Sequence, residues 1–308
     1  MKPLRIGTRG SALARWQAEY VLAGLARHGA RAELVIIRTS GDRDRQSSLR
    51  EMGGKGVFTK ELEDALLDDR IDLAVHSMKD MPTALPPGLE IAAICEREDP
   101  RDALVSRGGL KLDQLPREAR VGTSSLRRQA QLRHHRSDLV MVEMRGNVET
   151  RLAKLAQGDY EAIVLAKAGL ERLGRADQIS ELLSPSVCLP AAGQGAIGIE
   201  MRKGDKSSAI VRKLNHRESR AAVDAERAVL AGLESGCQVP IGVWARGEAG
   251  GLKLDACVLS ADGAEAVRES RAGSWENPSE LGASAAAALL ERGAGRLLRL
   301  MGRGVEHG

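Results

Sequence analysis

Residues Val121-Gly-Thr-Ser-Ser-Leu-Arg-Arg-Gln129 predict the end of a strand, a tight turn and the start of a helix that carries two adjacent arginines. Backbone N–H groups at a helix N-terminus already favour an anion. The turn adds hydroxyl donors at Thr123, Ser124 and Ser125. Arg127 and Arg128 add two planar groups that can hold a carboxylate or a phosphate through paired hydrogen bonds. The stretch therefore predicts a site for an acidic small molecule, although a capped helix with solvated arginines explains it equally well when it is taken alone.

Strand and helix patterns alternate on both sides of this stretch. The predicted strands lie at Leu4–Gly7, Glu33–Arg38, Asp72–His76, Arg120–Gly122, Leu139–Val142 and Ala162–Ala166. The predicted helices begin after Ser11 and at Lys60 in the first series, and lie at Ser125–Arg133, Val148–Gln157 and Lys167–Leu173 in the second. Such alternation favours mainly parallel sheets covered on both faces. We therefore predict two α/β lobes that face each other across a cleft, with ligand groups at the carboxyl ends of the strands.

The last third of the chain has a different pattern. A strongly amphipathic helix at Glu218–Leu233 is followed by three predicted antiparallel strands, at Ile241–Arg246, Leu252–Leu259 and Glu265–Arg271. A long Ala/Leu-rich helix is predicted over Ser279–Met301. These elements indicate a separate α+β domain.

Composition excludes several classes of protein. The chain has 308 residues, enough for two or three domains, and its net charge is +4. One Phe, two Tyr and three Trp are too few for base-stacking surfaces, so nucleic-acid binding is a poor explanation of the basic pI near 9.0. No apolar run of about 18 residues and no apolar signal core are present, which predicts a cytoplasmic protein without membrane attachment. Four cysteines without C-x-x-C spacing predict neither a disulfide framework nor a metal site.

Basic residues follow several of the predicted strands. They are Arg9, Lys79, Arg127, Arg128, Arg145 and Arg151. Any one of them alone is better explained as a solvated surface residue. Because the carboxyl ends of strands in open α/β sheets face the ligand crevice, their shared position predicts a strongly cationic cleft.

Asp80 is a carboxylate in this basic setting. Neighbouring cations would lower its pKa and keep it ionised. Such a group could pair with a developing cation or move a proton during a reaction. A plain salt bridge or a helix cap is the alternative that the spacing alone favours.

Cys237 lies in the string Gly236-Cys-Gln-Val-Pro-Ile-Gly242, where small neighbours leave the sulfur room to react as a thiolate. By residue type alone, an inert small hydrophobic residue is the better explanation.

The charged and Gly-rich segment 39–56 predicts a mobile loop beside a strand end, with a plain surface loop as the alternative. Phe58 could stack on a planar ligand or pack in the core.

The chain resembles the porphobilinogen deaminase family. The strings that carry the resemblance run in the family's order over nearly the whole chain, and only the region past about residue 243 matches in outline. They are Gly7-Thr-Arg-Gly-Ser-Ala-Leu-Ala14, Gly53-Gly-Lys-Gly-Val-Phe58, Ala74-Val-His-Ser-Met-Lys-Asp80, Cys95-Glu-Arg-Glu-Asp-Pro-Arg-Asp102, the opening stretch 121–129, Arg145-Gly-Asn147, Leu189-Pro-Ala-Ala-Gly-Gln-Gly-Ala196 and Gly236-Cys-Gln-Val-Pro-Ile-Gly242.

The resemblance implies a fold and a reaction. Two lobes like type II periplasmic binding proteins, with mainly parallel mixed sheets, would span 1–97 with 196–215 and 101–190, and a smaller α+β domain with an antiparallel three-stranded sheet would span 218–308. Members of the family are transferases of tetrapyrrole and haem biosynthesis. They join four porphobilinogen molecules head to tail with loss of ammonia, and release linear hydroxymethylbilane by hydrolysis. A monomer in the cytoplasm is implied.

The resemblance also implies roles for particular residues. Cys237 would carry a dipyrromethane cofactor as a thioether, and Asp80 would stabilise positive pyrrole nitrogens and assist proton transfer. Asp42, Lys55 and Phe58 would belong to a loop and hinge that close over the site. The residues that would bind cofactor and substrate are Arg9, Ser11, Ser77, Lys79, Thr123, Ser124, Ser125, Arg127, Arg128, Arg145, Gly146, Arg151, Arg172 and Gln194. Arg172 enters through the resemblance only.

A protein of another class remains as the rival explanation. A non-catalytic solute-binding or ligand-sensing protein with the same two lobes would account for the arginines. It would not account for Cys237 within its motif. Nucleic-acid binding, the third possibility, rests on the pI alone.

Overall fold

The computed structural model describes residues 2–39, 59–233 and 239–303. In chain order, the strands in these ranges are β1 (Leu4–Thr8), β2 (Ala32–Ile36), β3 (Leu73–Ser77), β4 (Leu89–Ile94), β5 (Asp102–Ser106), β6 (Arg120–Gly122), β7 (Val140–Val142), β8 (Ala162–Ala166), β9 (Glu181–Leu182), β10 (Ile197–Arg202), β11 (Ile241–Glu248), β12 (Gly251–Leu259) and β13 (Ala266–Gly273). The α-helices are α1 (Ala12–Arg27), α2 (Lys60–Leu67), α3 (Leu126–His135), α4 (Val148–Gln157), α5 (Lys167–Arg172), α6 (Ser208–Val211), α7 (Arg217–Gly232), α8 (Pro278–Glu291) and α9 (Ala294–Arg303).

The chain divides into two units by its internal contacts. The first contains Met1–Glu98 and Gly195–Ala221, and the second contains Asp99–Gln194 and Ala222–Gly308. The boundaries of the three domains that the sequence predicts stay a prediction.

A five-stranded mixed sheet organises the first unit, in the order β2-β1-β3-β10-β4. β1 pairs parallel with β2 and β3, whereas β10 pairs antiparallel with β3 and β4. Both faces are covered by apolar side chains. On one face Val21 and Leu25 of α1 are buried with Ile6 and Ile199, and on the other Leu62 of α2 is buried within a second cluster. This two-sided burial explains why the strands are almost continuously apolar.

The second unit contains a sheet with the same pairing pattern, in the order β7-β6-β8-β5-β9. β6 pairs parallel with β7 and β8, and β5 pairs antiparallel with β8 and β9. Separate apolar clusters again lie on the two faces. In this arrangement β8 holds the position that β3 holds in the first sheet. Each sheet therefore has a central strand with one parallel and one antiparallel neighbour.

A three-stranded antiparallel sheet, β11-β12-β13, completes the second unit, and α8 packs on β12 and β13. The α/β fold with an antiparallel C-terminal sheet is confirmed by these pairings. The single helix predicted over Ser279–Met301 is wrong, because the chain breaks it between Glu291 and Ala294. Gly293 has φ +97°, a left-handed conformation that ends a helix and that glycine adopts without steric cost.

Several buried strands have no counterpart among the strands that the sequence predicts. β5 is buried along its whole length, and β10 is buried except at its last residue. Short apolar runs of this kind do not show the alternation from which strands are recognised. The predictions for β6, β8 and α4 coincide with the observed bounds.

Candidate active site

The turn after β1 forms the first of the predicted ligand sites. Ser11 caps α1, since its hydroxyl oxygen accepts a hydrogen bond from the Ala14 N–H at 3.3 Å. Thr8 is fully buried, and its hydroxyl donates to the Ala14 carbonyl at 2.9 Å. Arg9 lies between these two anchored residues in the chain, and its side chain is half-buried. The turn is thus fixed by its own hydroxyl groups, and Arg9 is the cation that it positions.

The carboxyl end of β3 leads directly into the predicted catalytic residue. Residues Met78–Asp80 form one 3₁₀ turn, in which the Met78 side chain is buried and Asp80 is exposed. Lys79 between them is half-buried. The Met78 N–H donates to the Ala196 carbonyl at 3.0 Å, which ties the turn to the chain just before β10. The exposed carboxylate of Asp80 therefore stands on an anchored turn.

Two buried polar contacts support this turn, and the sequence analysis missed both. Gln17 of α1, only 3% exposed, donates from Nε2 to the Ser77 Oγ at 2.8 Å. His76 contacts the Glu200 carboxylate of β10 at 2.9 Å, and both side chains are buried. The available signal was a polar residue on the apolar face of α1, because a buried amide needs a hydrogen-bond partner.

Arg127 and Arg128 contact an internal carboxylate, and their contact with a ligand stays a prediction. The two side chains are 5% and 6% exposed and share one internal partner, Asp102. Arg127 Nη1 lies 2.6 Å from Asp102 Oδ2, and Arg128 Nη2 lies 2.6 Å from Asp102 Oδ1. Burial alone would raise the pKa of Asp102, but the two guanidinium charges outweigh it and hold the pKa well below its ordinary value. Asp102 is therefore a buried carboxylate ion at neutral pH.

Further hydrogen bonds fix the pair. Arg127 Nη1 also donates to the Leu189 carbonyl at 2.6 Å, and Arg128 Nη1 donates to the Val164 carbonyl at 2.9 Å. Gln194, a predicted binding residue that is 1% exposed, donates from Nε2 to Asp102 Oδ1 at 2.8 Å. Burial, followed by the charge of Asp102, raises the pKa of the nearby Cys188 thiol, which disfavours its nucleophilic thiolate form.

Arg151 supplies a third cation close to this pair. Burial and then the charge of Arg128 lower the pKa of Arg151 to about 10, which leaves it protonated at neutral pH. Its Nε donates to the Gly146 carbonyl at 2.8 Å. Gly146 has φ +112°, and a side chain there would collide with Thr150, so the turn requires glycine. The hydrogen bond therefore ties the Arg151 side chain to the turn that precedes α4.

The hydroxyl groups after β6 are used mainly within the fold. Thr123 is fully buried and its Oγ1 accepts from the Ser125 N–H at 3.2 Å. Ser124 donates to the Met144 carbonyl at 2.6 Å and accepts from the Met144 N–H at 3.1 Å. Ser125 stands at the N-cap position of α3 without a side-chain capping bond. The Ser124 hydroxyl thus joins the turns after β6 and β7, and contact of these hydroxyl groups with a ligand stays a prediction.

The remaining predicted residues are placed as follows. Arg145 is paired with the exposed Glu143 at 2.6 Å. Arg172 is buried at the last residue of α5. Four predicted site residues, Asp42, Lys55, Phe58 and Cys237, lie outside the described residues.

Glu226 is a further polar residue that the sequence analysis did not select. It is fully buried on α7, which ends shortly before Cys237 in the chain. Its carboxylate accepts from the Gly193 N–H at 2.7 Å and from the Ala245 N–H at 2.8 Å. The contact joins α7 to β11, so the two elements that flank the cysteine segment are held together.

Comparison with known proteins agrees with the strings quoted above. The family model described as "Porphobilinogen deaminase, dipyromethane cofactor binding domain" matches residues 4–209, and the one described as "Porphobilinogen deaminase, C-terminal domain" matches residues 221–291. A porphobilinogen deaminase of Moorella thermoacetica is 52% identical over 302 residues, which cover 97% of this chain and 96% of that protein. A porphobilinogen deaminase of Pelotomaculum thermopropionicum is 50% identical over 301 residues, with the same coverage.

Solved structures of much lower sequence identity also align with part of this chain. The methionine-binding protein MetQ aligns with a TM-score of 0.44 and 14% identity, over 68% of this chain and 87% of that chain. The Bordetella pertussis BvgS periplasmic VFT2 domain aligns with a TM-score of 0.42 and 14% identity, over 68% and 86% of the two chains. Likenesses this distant carry no functional inference.

The chain belongs to the porphobilinogen deaminase family. It is a transferase that joins four porphobilinogen molecules into linear hydroxymethylbilane with loss of ammonia, and its cofactor is dipyrromethane. Within the described ranges, every helix is too short or too polar to cross a bilayer.

Proposed function

We propose that Cys237 carries the dipyrromethane as a thioether, that the arginines of the second unit hold its carboxylates, and that Asp80 is the catalytic carboxylate. The observation that carries the proposal is the excess of positive charge around Asp102. Arg127, Arg128 and Arg151 supply three guanidinium groups, and Asp102 neutralises one of them.

The donor set fits the chemistry of the cofactor. Each pyrrole unit carries an acetate and a propionate, so it brings two carboxylates. The net charge of the four side chains is about two positive units, which one pyrrole unit would balance. Guanidinium groups are the donors best suited to carboxylates because they can offer two parallel N–H groups.

Attachment of the first unit breaks the S–H and carbon–nitrogen bonds and forms a sulfur–carbon bond and an N–H bond. The Cys237 sulfur bonds to the aminomethyl carbon of porphobilinogen, the carbon–nitrogen bond breaks, and ammonia leaves with the thiol proton. The second unit adds to the first with loss of a second ammonia. Once bound, the cofactor supplies a covalently held chain end for elongation. Two buried cysteines, Cys188 and Cys257, have thiol pKa values that burial raises, which favours Cys237 as the attachment site.

Asp80 has the placement that proton transfer requires. Its carboxylate is exposed, so it can reach a substrate, and its backbone is held by the anchored turn after β3. A carboxylate there can stabilise positive charge on a pyrrole nitrogen and accept a proton. In the first unit Arg9, Ser11, Ser77 and Lys79 would bind carboxylates of the substrate. In the second, Thr123, Ser124, Ser125, Arg145, Gly146, Arg172 and Gln194 would bind or support the cofactor.

Finer points belong to the same proposal. The chain would act as a three-domain monomer in the cytoplasm, with porphobilinogen as its small-molecule partner and without nucleic acid. Asp42, Lys55 and Phe58 would contribute to a segment that closes over the site.

The experiment combines product formation with intact mass. Purified protein is incubated with porphobilinogen, the product is acidified and oxidised to porphyrin, and the mass of the protein is measured in parallel. We expect coloured porphyrin, and a protein heavier than its sequence by two substrate units less two ammonia molecules. Cys237→Ser should abolish both, whereas Cys257→Ala, the matched control at a buried cysteine, should retain both. The proposal would be contradicted if Cys237→Ser formed the full amount of product and had the same added mass as the loaded native chain. A solute-binding protein would bind porphobilinogen without forming porphyrin.

A further inference from the structure

Asp102 accepts hydrogen bonds from four side chains, of which the Cys188 thiol is the most distant donor, at 3.4 Å. Arg127 donates to Oδ2, and Arg128 and Gln194 donate to Oδ1, at distances of 2.6 to 3.0 Å. The carboxylate is fully buried at the first residue of β5. Its register partner is Ala166, the last residue of β8. Asp102 thus lies at the carboxyl end of β8 and contacts the two arginines in the first turn of α3.

The two arginines are held to different extents. Arg128 donates to Asp102 from both Nε and Nη2 and to the Val164 carbonyl from Nη1, so all three nitrogens of its guanidinium have fixed partners. Arg127 uses Nη1 for Asp102 and for the Leu189 carbonyl. A planar group bound through three nitrogens cannot rotate. The plane of Arg128 is therefore set by Asp102 and by the backbone of β8.

The same contacts set the local charge. Without Asp102, the buried Arg127 and Arg128 would carry two positive charges side by side, with the half-buried Arg151 as a third charge acting on Arg128. Like charges at such close range repel, and they would turn their side chains apart. With Asp102 present, Arg151 can remain close to Arg128. Asp102 thereby keeps the arginines together while leaving positive charge for an anion.

We propose that Asp102 is a positioning residue for cofactor assembly, which orients Arg128 and keeps Arg127 beside it. The inference rests on the proposed function, in which these arginines hold the carboxylates of the dipyrromethane. Asp102 does not touch the cofactor in this role. It acts through the arginines, so its loss slows the loading of the cofactor more than it changes the chemistry of a loaded enzyme.

The test follows loading directly. Each variant is produced in cells that cannot make porphobilinogen, and the cofactor-free full chain is then given porphobilinogen. Intact mass is followed over time at several substrate concentrations, and thermal unfolding of the cofactor-free protein is measured separately. Asp102→Asn keeps the shape and removes the charge. We expect its loading to slow by at least about tenfold, through a higher half-saturating concentration, because charged hydrogen bonds to two arginines are weakened.

A matched control uses another bidentate ion pair of the same unit. Asp138 holds Arg136 at 2.8 and 2.7 Å, away from the arginine pair. Asp138→Asn should load at the native rate. If Asp102→Asn does not fold, Gln194→Met provides the milder change, because it removes one donor to Oδ1 and keeps the charge. Its loading should slow about threefold. Native loading by a folded Asp102→Asn, or by Gln194→Met where Asp102→Asn is unfolded, would overturn the inference.

Arg128→Leu separates this inference from the function on which it rests. If Arg128→Leu loads normally, the assigned role of the arginine fails, and with it the reason for positioning. If Arg128→Leu blocks loading while folded Asp102→Asn loads at the native rate, only the positioning role of Asp102 fails. A loss of thermal stability in Asp102→Asn without slower loading would show that the carboxylate is structural.

Discussion

The strands β3 and β8 hold corresponding positions in two sheets with the same pairing pattern, and a carboxylate lies near the carboxyl end of each. Asp80, three residues beyond β3, is exposed on its turn. Asp102, paired in register with the last residue of β8, is fully buried against two arginines. One sheet therefore presents its carboxylate to solvent, and the other uses it to hold cations.

The difference shows that the role of a carboxylate depends on what surrounds it. A buried ion with two guanidinium partners cannot accept a proton at neutral pH, because its protonated form would leave both arginines without a counter-charge. An exposed carboxylate on an anchored turn is available to a substrate. Replacing each residue should therefore affect different measurements.

The largest expected effect comes from Asp80→Ala. We expect kcat to fall by about 10³-fold, since a positioned acid or base contributes on the order of 10²–10⁴ to rate. Thermal stability should change little because the side chain is exposed. Steady-state production of hydroxymethylbilane and thermal unfolding test this, with intact mass as a check that the cofactor is loaded. Near-normal turnover in a loaded, folded variant would remove Asp80 from the mechanism.

Asp102→Ala should have its main effect on stability, unlike Asp80→Ala, whose main effect is expected on kcat. Removing one partner of a buried ion pair costs about 3 kcal/mol or more, because the remaining charge stays buried without compensation. Arg127 and Arg128 keep their carbonyl partners, which places the expected loss at the lower end of that range. Urea unfolding of the cofactor-free chain measures it. A loss of less than about 1 kcal/mol would mean that the two arginines find other partners or reach water.

The local units of this comparison could be predicted from sequence, but their partners could not. The strand, turn and helix around Thr123 follow from alternating apolar residues and capping residues that are close in the chain. Asp102 lies 25 positions before Arg127, and nothing in that spacing indicates contact. Pairing of β5 with β8 brings the two together. Long-range pairing of this kind has no signature in a single sequence.

The predicted site shows the same limit. Residue types and family strings select Arg127 and Arg128, yet they do not indicate that both are buried. Gln17 and Glu226 were not selected, because a polar residue on the apolar face of a helix indicates burial but does not identify its hydrogen-bond partner. Their roles follow from contacts at 2.7 to 2.8 Å with distant backbone and side-chain atoms.

A smaller effect should appear in the acid range. The folded-state pKa of Asp102 lies below its ordinary value of 3.8 because the charges of Arg127 and Arg128 outweigh the effect of burial. A lowered carboxylate pKa stabilises the fold above the unfolded value, and that stability is lost as the pH falls towards the folded value. The difference in unfolding free energy between the native chain and Asp102→Asn should therefore be constant from about pH 7 to 5 and shrink from about pH 4 downwards. A difference that grows on acidification would contradict the ionised state of Asp102.

The smallest expected effect tests whether the support beneath Asp80 matters to function. Gln17 donates to Ser77 Oγ at 2.8 Å from a position that is 3% exposed. Gln17→Met keeps the volume and removes this donor, so we expect a loss of about 1 kcal/mol in unfolding free energy. The Ser77 hydroxyl would then be free to rotate, and the KM for porphobilinogen should rise by about threefold while kcat stays near the native value. Gln114→Met is the control, since its amide accepts from the Lys111 N–H at an exposed site. If Gln17→Met loses stability but keeps the native KM, the orientation of Ser77 does not contribute to substrate binding, and the exposed carboxylate of the first sheet acts without help from α1.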